Sequence, residues 1–248
     1  MVRKDTTFER NKIKGTGFGC DYSSSLSDKI QTPTKSKIDK SMEFDQLLEK
    51  IVKDGQTHAK WLNTLSFMEN AGARKISKCE HPVSVTLIQL KHAAEEHRHA
   101  YYLKKQIGKI DPELCKTYKA EELLAPVATR QYLHALDVKA CRYLQAVFNL
   151  SQEELKYAAY LFVTYAIEVR ADELYPVYQD ILTRESSKIM VKSIILEEEG
   201  HLEEMIHQLN EFSPEWKQHA EHILMIEKEL HDQWINAIAK DVAQLDYA

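Results

Sequence analysis

The stretch LEEEGHLEEM, from Leu196 to Met205, contains five glutamates and one histidine within ten residues. A run this polar is either a solvated helix face or a segment in which some carboxylates turn inward and hold a metal ion. It contains the pattern Glu-x-x-His, whose two side chains are neighbours on one helix face. The pattern occurs three times in the chain, at Glu96/His99, Glu198/His201 and Glu204/His207.

The position of each pair relative to the apolar stripe of its helix separates the three. Successive residues are about 100° apart around a helix. Glu198 lies in the middle of an apolar stripe, with His201 about 60° to one side. The remaining polar residues of this segment point sideways or outward and are typical of a solvated face: Glu197, Glu199, Glu203, Glu204 and His207.

Three other glutamates occupy the same kind of position on their own helices. Glu96 lies amid Val85, Ala93, Ala100, Leu103 and Ile107, with His99 and His92 on one flank, Glu95 lateral and lysine and arginine opposite. Glu69 shares a stripe with leucines and isoleucines, and Glu168 is surrounded by aromatic residues.

Four inward glutamates and two histidines need a physical explanation. An isolated carboxylate in a helical core costs several kcal/mol and would normally protonate. A surface location is disfavoured by the apolar stripes. A purely structural buried polar network is the remaining alternative, and a positively charged metal centre explains the pattern better.

The spacing of the glutamates gives an independent check. Glu69 and Glu96 are equidistant from a point near residue 82, at the end of the break SKCEHP (77–82). Glu168 and Glu198 are equidistant from Thr183, which lies in the break TRESS. Residues equidistant from the turn of an antiparallel hairpin lie at the same level. The spacing therefore predicts that all six side chains meet at one height.

Composition and charge restrict the class of protein. The chain has 248 residues, a net charge of -5 and a pI near 6.1, which argues against a dedicated nucleic-acid binder. The chain contains only seven Gly and six Pro, and this low number favours long helices. No apolar run approaches the roughly 20 residues that span a bilayer, and the N-terminus lacks a signal-peptide core. The four cysteines form no C-x-x-C pair, which disfavours zinc ribbons, rubredoxin-type iron sites and disulfide scaffolds. We expect an all-α, cytoplasmic protein.

The chain divides into two parts. Residues 1–40 are polar and without periodicity, which predicts a flexible arm, with a lid or partner-binding arm as the alternative. Residues 41–248 are predicted to form one helical domain. Pro126 should split its helical region 112–149, and Pro176 should kink or shorten the helix that starts at 151. The predicted helices are 41–76, 82–107, 112–149, 151–183, 187–210 and 214–245.

The ligand set favours iron or manganese. Zinc usually takes fewer ligands with more sulfur or nitrogen, and calcium rarely uses imidazole. Mixed oxygen and nitrogen ligands with open positions are typical of iron or manganese. Four carboxylates and two histidines suit two such ions better than one.

The order of these residues resembles a known family. One Glu, then Glu96-x-x-His99, one Glu, then Glu198-x-x-His201, on four successive long helices, resembles the ferritin-like di-iron carboxylate superfamily, of the oxidase or oxygenase type and related to rubrerythrins. The resemblance covers about residues 41–210. It implies a four-helix bundle with additional helices between helices 2 and 3 and at the C-terminus.

The resemblance also implies a role for each ligand. Glu69 and His99 would bind one iron ion, and Glu168 and His201 the other. Glu96 and Glu198 would bridge both. The cofactors would be two Fe ions, with Fe/Mn as the alternative, and no catalytic residue is predicted beyond these ligands.

Several further residues are candidates for the surroundings of the metals. His92 is a third nitrogen ligand or, alternatively, a hydrogen-bond partner or core histidine. Asp172, one turn after Glu168, is an additional carboxylate or a solvated residue. Thr164, Tyr165 and Tyr175 line a substrate pocket or pack as ordinary core aromatics.

Three functions compete at this point. An oxidase or oxygenase would use O2 on a small organic or lipid-like substrate with an external electron donor, and the roughly 70 residues between Glu96 and Glu168 leave room for helices that cover a pocket. A rubrerythrin-like peroxidase or ferroxidase would handle peroxide or iron. A non-enzymatic scaffold would use the acidic centre structurally.

The apolar residues after Pro214 predict packing on the bundle, with a homodimer seam as the second use.

Overall fold

The computed structural model describes residues 35–245, with side-chain surroundings from residue 44 onward. Within this range the protein contains only helices, which confirms the all-α prediction. Most of the predicted arm of residues 1–40 lies outside the described residues and stays a prediction. The α-helices are α1 (Lys35–Lys53), α2 (Gly55–Cys79), α3 (Leu87–Ile107), α4 (Pro126–Phe148), α5 (Gln152–Arg184), α6 (Lys192–Phe212) and α7 (Trp216–Leu245).

The first predicted helix, 41–76, is two helices in the structure. Asp54 has an extended backbone, and its Oδ1 accepts a hydrogen bond from the amide of Thr57 at 2.8 Å. This is the geometry of an N-cap, which satisfies an amide that has no partner inside the helix. The prediction of one continuous helix was wrong because the Asp54-Gly55 pair starts a new helix.

Other helices also begin later than predicted, and α6 begins at Lys192 rather than at residue 187. α3 begins at Leu87 rather than at residue 82, because the Thr86 hydroxyl caps it by accepting from the amide of Gln89 at 3.2 Å. In the predicted helical region 112–149, the α-helix begins only at Pro126, where a proline fits the first turn. The residues before it form loops and one short 3₁₀ turn, Ala120–Glu122.

α5 begins with a capping box, in which the Ser151 side chain and the Glu154 side chain each accept a hydrogen bond from the backbone amide of the other residue. α5 then continues through Pro176 to Arg184, so the predicted shortening at that proline was wrong. Proline removes the amide that would bond the carbonyl of residue 172. Asp172 is exposed, so solvent can supply the missing hydrogen bond.

Two helix pairs form the centre of the fold. α2 packs along α3, and α5 packs along α6, while contacts of α2 with α5 and of α3 with α6 join the pairs. α4 and α7 pack against each other and against α5. Trp234 of α7 stacks on Trp61 of α2 and on Tyr132 of α4, with ring centroids 5.7 and 5.6 Å apart.

The apolar residues of α7 confirm the predicted packing on the bundle. They are buried in the core: Trp216, Ile223, Leu230, Trp234, Ile238 and Val242. The predicted dimer seam stays a prediction. Across residues 35–245, every helix is too short or too polar to cross a bilayer.

Candidate metal centre

Six side chains from four helices converge between the two helix pairs. Their ligand atoms form two groups, and within each group all atoms lie within 4.8 Å of one another. The groups are Glu69, Glu96, His99 and Glu198, and Glu96, Glu168, Glu198 and His201. Glu96 and Glu198 belong to both groups, so these two carboxylates lie between the other members.

The helical geometry explains this convergence. The connections after α2 and after α5 reverse the direction of the chain, so the two helices of each pair run antiparallel. Residues at equal distances from the connection therefore lie at the same level. In each Glu-x-x-His pair, the three-residue spacing puts the histidine beside its glutamate. The structure therefore brings all six predicted ligands together.

The two histidines present the same ring nitrogen to the cluster. The Nδ1 atom of His99 lies 3.0 Å from Glu198 Oε1, and that of His201 lies 3.1 Å from Glu198 Oε2. His99 Nδ1 is buried and makes no hydrogen bond. A buried nitrogen without a partner, aimed at carboxylates, is the arrangement that a metal ion would satisfy.

The opposite nitrogen of each ring is held by an outer glutamate. His99 Nε2 lies 2.7 Å from Glu197 Oε2, and His201 Nε2 lies 2.7 Å from Glu95 Oε2. A carboxylate accepts, so each Nε2 carries the hydrogen, and in a neutral ring Nδ1 keeps its lone pair. This is how outer carboxylates orient metal-binding histidines.

These outer contacts are reciprocal between α3 and α6. Glu95, which precedes Glu96, holds the histidine of α6, while Glu197, which precedes Glu198, holds the histidine of α3. The interpretation of Glu197 as a solvated residue was wrong, and Glu95 has a role that its lateral position did not indicate. The doubled pattern Glu-Glu-x-x-His, present in both helices, is the sequence signal that could have found them.

The electrostatics of the cluster reflect crowded negative charge. Burial, with the charge of Glu198 added, raises the pKa of Glu96 and of Glu168 well above the ordinary value. Burial also acts on Glu198, but its close contacts with Glu168 and with the two histidines outweigh burial and lower its pKa.

The pKa values of the two histidines shift in the direction opposite to the one that burial alone would cause. Burial lowers the pKa of His99 and of His201, but the close contact of each ring with Glu198 and the charge of that carboxylate outweigh burial and raise both values to about 9. Without a cation, the cluster therefore takes up protons. A divalent metal would supply the same positive charge.

His92 lies beside the cluster without joining either ligand group. It is fully buried, and its ring centroid lies 4.7 Å from that of His201. Its Nε2 lies 2.7 Å from Glu204 Oε2, and its Nδ1 lies 3.0 Å from the Tyr160 hydroxyl. With both nitrogens engaged, His92 has the geometry of the hydrogen-bond partner rather than of a third nitrogen ligand.

Glu204 was predicted to point to solvent and instead connects His92 with the surface. Its Oε1 accepts from Lys91 Nζ at 2.6 Å, and the Lys91 side chain is exposed. Hydrogen bonds thus run without a break from Lys91 through Glu204 and His92 to Tyr160.

The remaining predicted residues fall into two sets. Tyr175 donates a hydrogen bond to Glu69, and both Tyr175 and Thr164 line a cavity next to the cluster. Tyr165 is not among the residues that line this cavity and packs against Trp216 at 5.4 Å between ring centroids. Asp172 is exposed and lies outside the ligand groups, which favours the solvated alternative.

The cavity has a volume of about 90 Å³ and lies between α2, α4 and α5. All four carboxylates of the cluster border the cavity, and much of the remaining wall is apolar. At its edge, Lys75 and Asp137 form a partly exposed ion pair at 2.6 Å. Any molecule in this cavity would lie directly beside the carboxylates. The apolar wall includes Leu65, Met68, Leu133, Val163, Ile167 and Leu174.

The donor set fits hard or borderline divalent cations. It offers carboxylate oxygens and imidazole nitrogens, and no cysteine belongs to either group among the described residues. Two overlapping groups that share two carboxylates suit a pair of ions better than one.

A scan of family models finds no match to this chain, and neither do searches of curated proteins and of solved structures.

Proposed function

We propose that this protein is a di-iron oxidase or oxygenase that uses O2 to oxidise a small organic substrate. The observation that carries the proposal is the pair of ligand groups that share Glu96 and Glu198. In this proposal α2, α3, α5 and α6 are the four helices of a ferritin-like bundle, with α4 inserted and α7 appended. Manganese in place of one iron is compatible with the same ligands.

Each ligand has a defined place in this proposal. Glu69 and His99 would hold one ion, and Glu168 and His201 the other. Glu96 and Glu198 would lie between the two. The two metals would supply the electrons that reduce dioxygen, and an external donor would restore them.

The protein contributes orientation and a path for protons. Glu95 and Glu197 keep the Nδ1 atoms of the two histidines directed inward. The chain from Lys91 through Glu204 and His92 ends at Tyr160, whose side chain lines the cavity. Exchange of hydrogens along these bonds would bring a proton from solvent to the cavity wall.

The cavity contributes a site with little water. Its apolar wall offers few hydrogen-bond partners, so water is disfavoured away from the carboxylates. A substrate there would be held beside the cluster by shape and apolar contact. Dry surroundings also strengthen the electrostatic interactions of the cluster.

Elemental analysis followed by oxygen consumption tests the proposal. Protein produced in iron-rich medium should hold two irons per chain, and the reduced protein should consume O2 and oxidise a member of a small-substrate panel. Rapid turnover of peroxide without O2-dependent product would instead indicate a peroxidase. Equal stability with no bound metal would contradict a metal-dependent function and favour a structural role of the cluster.

A further inference from the structure

The cavity beside the cluster has the properties of a binding site for one chemical class of molecule. It borders Glu69, Glu96, Glu168 and Glu198 and is otherwise lined largely by apolar side chains of α2, α4 and α5. Well-packed cores contain few voids larger than a water molecule. This cavity of about 90 Å³ is larger than such a void and is partly open, with the partly exposed Lys75–Asp137 ion pair at its edge.

The lining decides what can occupy the cavity. A buried water needs two to four polar partners, and an apolar cavity stays dry and takes apolar ligands instead. Tyr175 cannot offer its hydroxyl freely, because that group already donates to Glu69. Along its apolar wall the cavity therefore favours an uncharged, apolar molecule over water.

The volume limits the size of the occupant. An engineered cavity of about 150 Å³ with an apolar lining holds benzene, which has six heavy atoms. A cavity of about 90 Å³ accordingly suits a molecule of roughly two to four heavy atoms. Dioxygen and hydrocarbons of two to four carbons fall within this range, whereas a longer chain would have to extend out of the cavity.

Gly72 explains how the cavity stays open next to the metal ligands. It lies in the interior of α2, one turn after Glu69, and it lines the cavity. Glycine inside a helix is less favourable than alanine. A Cβ atom built here would meet only Glu96 Oε2, at 4.0 Å, so a methyl group would fit without a clash.

The glycine therefore keeps free the space that a side chain would take between the cavity and Glu96. We propose that the cavity binds a small apolar molecule of two to four heavy atoms next to the carboxylate cluster, and that Gly72 determines the size of this site. The inference rests on the proposed function for the role of the bound molecule. The binding itself does not require metal.

Xenon and cyclopropane are the probes that test the binding. Metal-free protein is exposed to xenon, and the site is located by anomalous diffraction from pressurised crystals and by ¹²⁹Xe NMR in solution. Cyclopropane and 1-octanol are compared by NMR titration. We expect one xenon site in the cavity, binding of cyclopropane and at least tenfold weaker binding of 1-octanol.

The chain offers a matched control for Gly72. Gly200 lies inside α6, and a Cβ atom there would meet nothing within 4 Å. Gly72→Leu should reduce xenon occupancy at least tenfold, Gly72→Ala should reduce it less, and Gly200→Leu should leave it unchanged. If Gly72→Leu fails to fold, Gly72→Ala against Gly200→Ala provides the same comparison, because one methyl group fits at both positions.

The outcomes separate this inference from the proposed function. Xenon bound without cyclopropane supports the site and assigns it to a diatomic gas, while binding of both assigns it to organic molecules as well. Absence of xenon from the cavity, equal binding of 1-octanol, or equal xenon binding by Gly72→Leu and wild type would overturn the inference. If two irons bind while xenon does not, the inference alone fails; if xenon binds but no metal does, the proposed function fails.

Discussion

Glu198 is the residue on which the cluster depends most directly, because its two oxygens approach both histidines. Glu198→Gln keeps the size of the side chain but removes its charge. We expect metal affinity to fall by at least the roughly 10–100-fold that loss of an outer hydrogen-bond partner causes. Inductively coupled plasma analysis after equilibrium dialysis measures this. Glu199→Gln is the control, since Glu199 is exposed on the same helix; equal metal content in both variants would contradict the assignment.

Glu197 would act on a bound metal through His99, whose Nε2 lies 2.7 Å from its carboxylate. Glu197→Gln can still accept a hydrogen bond there but lacks the charge, so we expect roughly 10-fold weaker metal binding with both ions still bound at saturation. Competition with a coloured chelator gives the affinity. The exposed Glu203 provides the control variant Glu203→Gln. An unchanged affinity would assign Glu197 to the surface ion pair with Arg98 alone.

His58 makes the stability of the protein sensitive to acid. Burial lowers its pKa from 6.5 to about 4, and its Nε2 shares a hydrogen bond with the Tyr178 hydroxyl at 2.6 Å. The unfolded chain binds the proton first as the pH falls, so stability is lost between pH 6.5 and about 4. The contribution of His58 to this loss should be roughly 2 kcal/mol between pH 7.5 and 5.

Urea unfolding at these two pH values measures the loss. His58→Gln should flatten the difference relative to wild type. The exposed His207 supplies the control His207→Gln, which should keep the wild-type difference. A wild-type slope in His58→Gln would show that other groups cause the acid sensitivity.

At the scale of the element, α7 is attached to the bundle by a buried ion pair as well as by its tryptophans. Arg170 of α5 donates two hydrogen bonds to Glu227, at 2.9 and 2.7 Å, and Tyr132 of α4 donates a third. Glu227 is 1% exposed, so its removal would leave the guanidinium without its main partner in a low-dielectric setting. This network joins α4, α5 and α7 at one point.

Breaking this ion pair on one side should therefore cost more than removing it altogether. We expect Glu227→Ala to lower the free energy of unfolding by about 3 kcal/mol, and the double variant Arg170→Met/Glu227→Leu to lose much less. Chemical denaturation measures both. Glu229→Ala, at an exposed position of α7, should stay within about 0.5 kcal/mol of wild type. A double variant as unstable as Glu227→Ala would contradict the electrostatic explanation.

At the scale of the whole molecule, we expect the cluster to couple metal content, pH and stability. The folded-state pKa values of Glu96, Glu168, His99 and His201 are all raised in the absence of metal. Groups with raised pKa values stabilise the fold at low pH and lose that contribution as the pH rises through the folded-state values. A bound cation removes the need for these protons.

Chelation should therefore destabilise the protein more at pH 8.5 than at pH 6.5. We expect the melting temperature of the chelator-treated protein to fall by several degrees over this range, and that of the iron-loaded protein to change less. Differential scanning calorimetry of both forms gives the comparison. Glu198→Gln removes the charge that raises these pKa values, so its chelated form should depend less on pH than chelated wild type. Identical pH dependence with and without iron would contradict the coupling.

Much of this protein follows from the position of single residues around a helix. The angle between Glu198 and its apolar neighbours, and the matching positions of Glu69, Glu96 and Glu168, predicted an all-helical fold and the six residues that meet. Such predictions succeed because 3.6 residues per turn is a local property, set by the backbone within each helix.

Only the tertiary structure decided which side chains meet across helices. The pairing of Glu95 with His201 and of Glu197 with His99, the orientation of His92, and the cavity beside Gly72 depend on the rotation and spacing of packed helices. The tolerance of Pro176 depends on solvent at Asp172 in the same way. These features depend on distances between residues far apart in the chain, and helical periodicity contains no information about those distances.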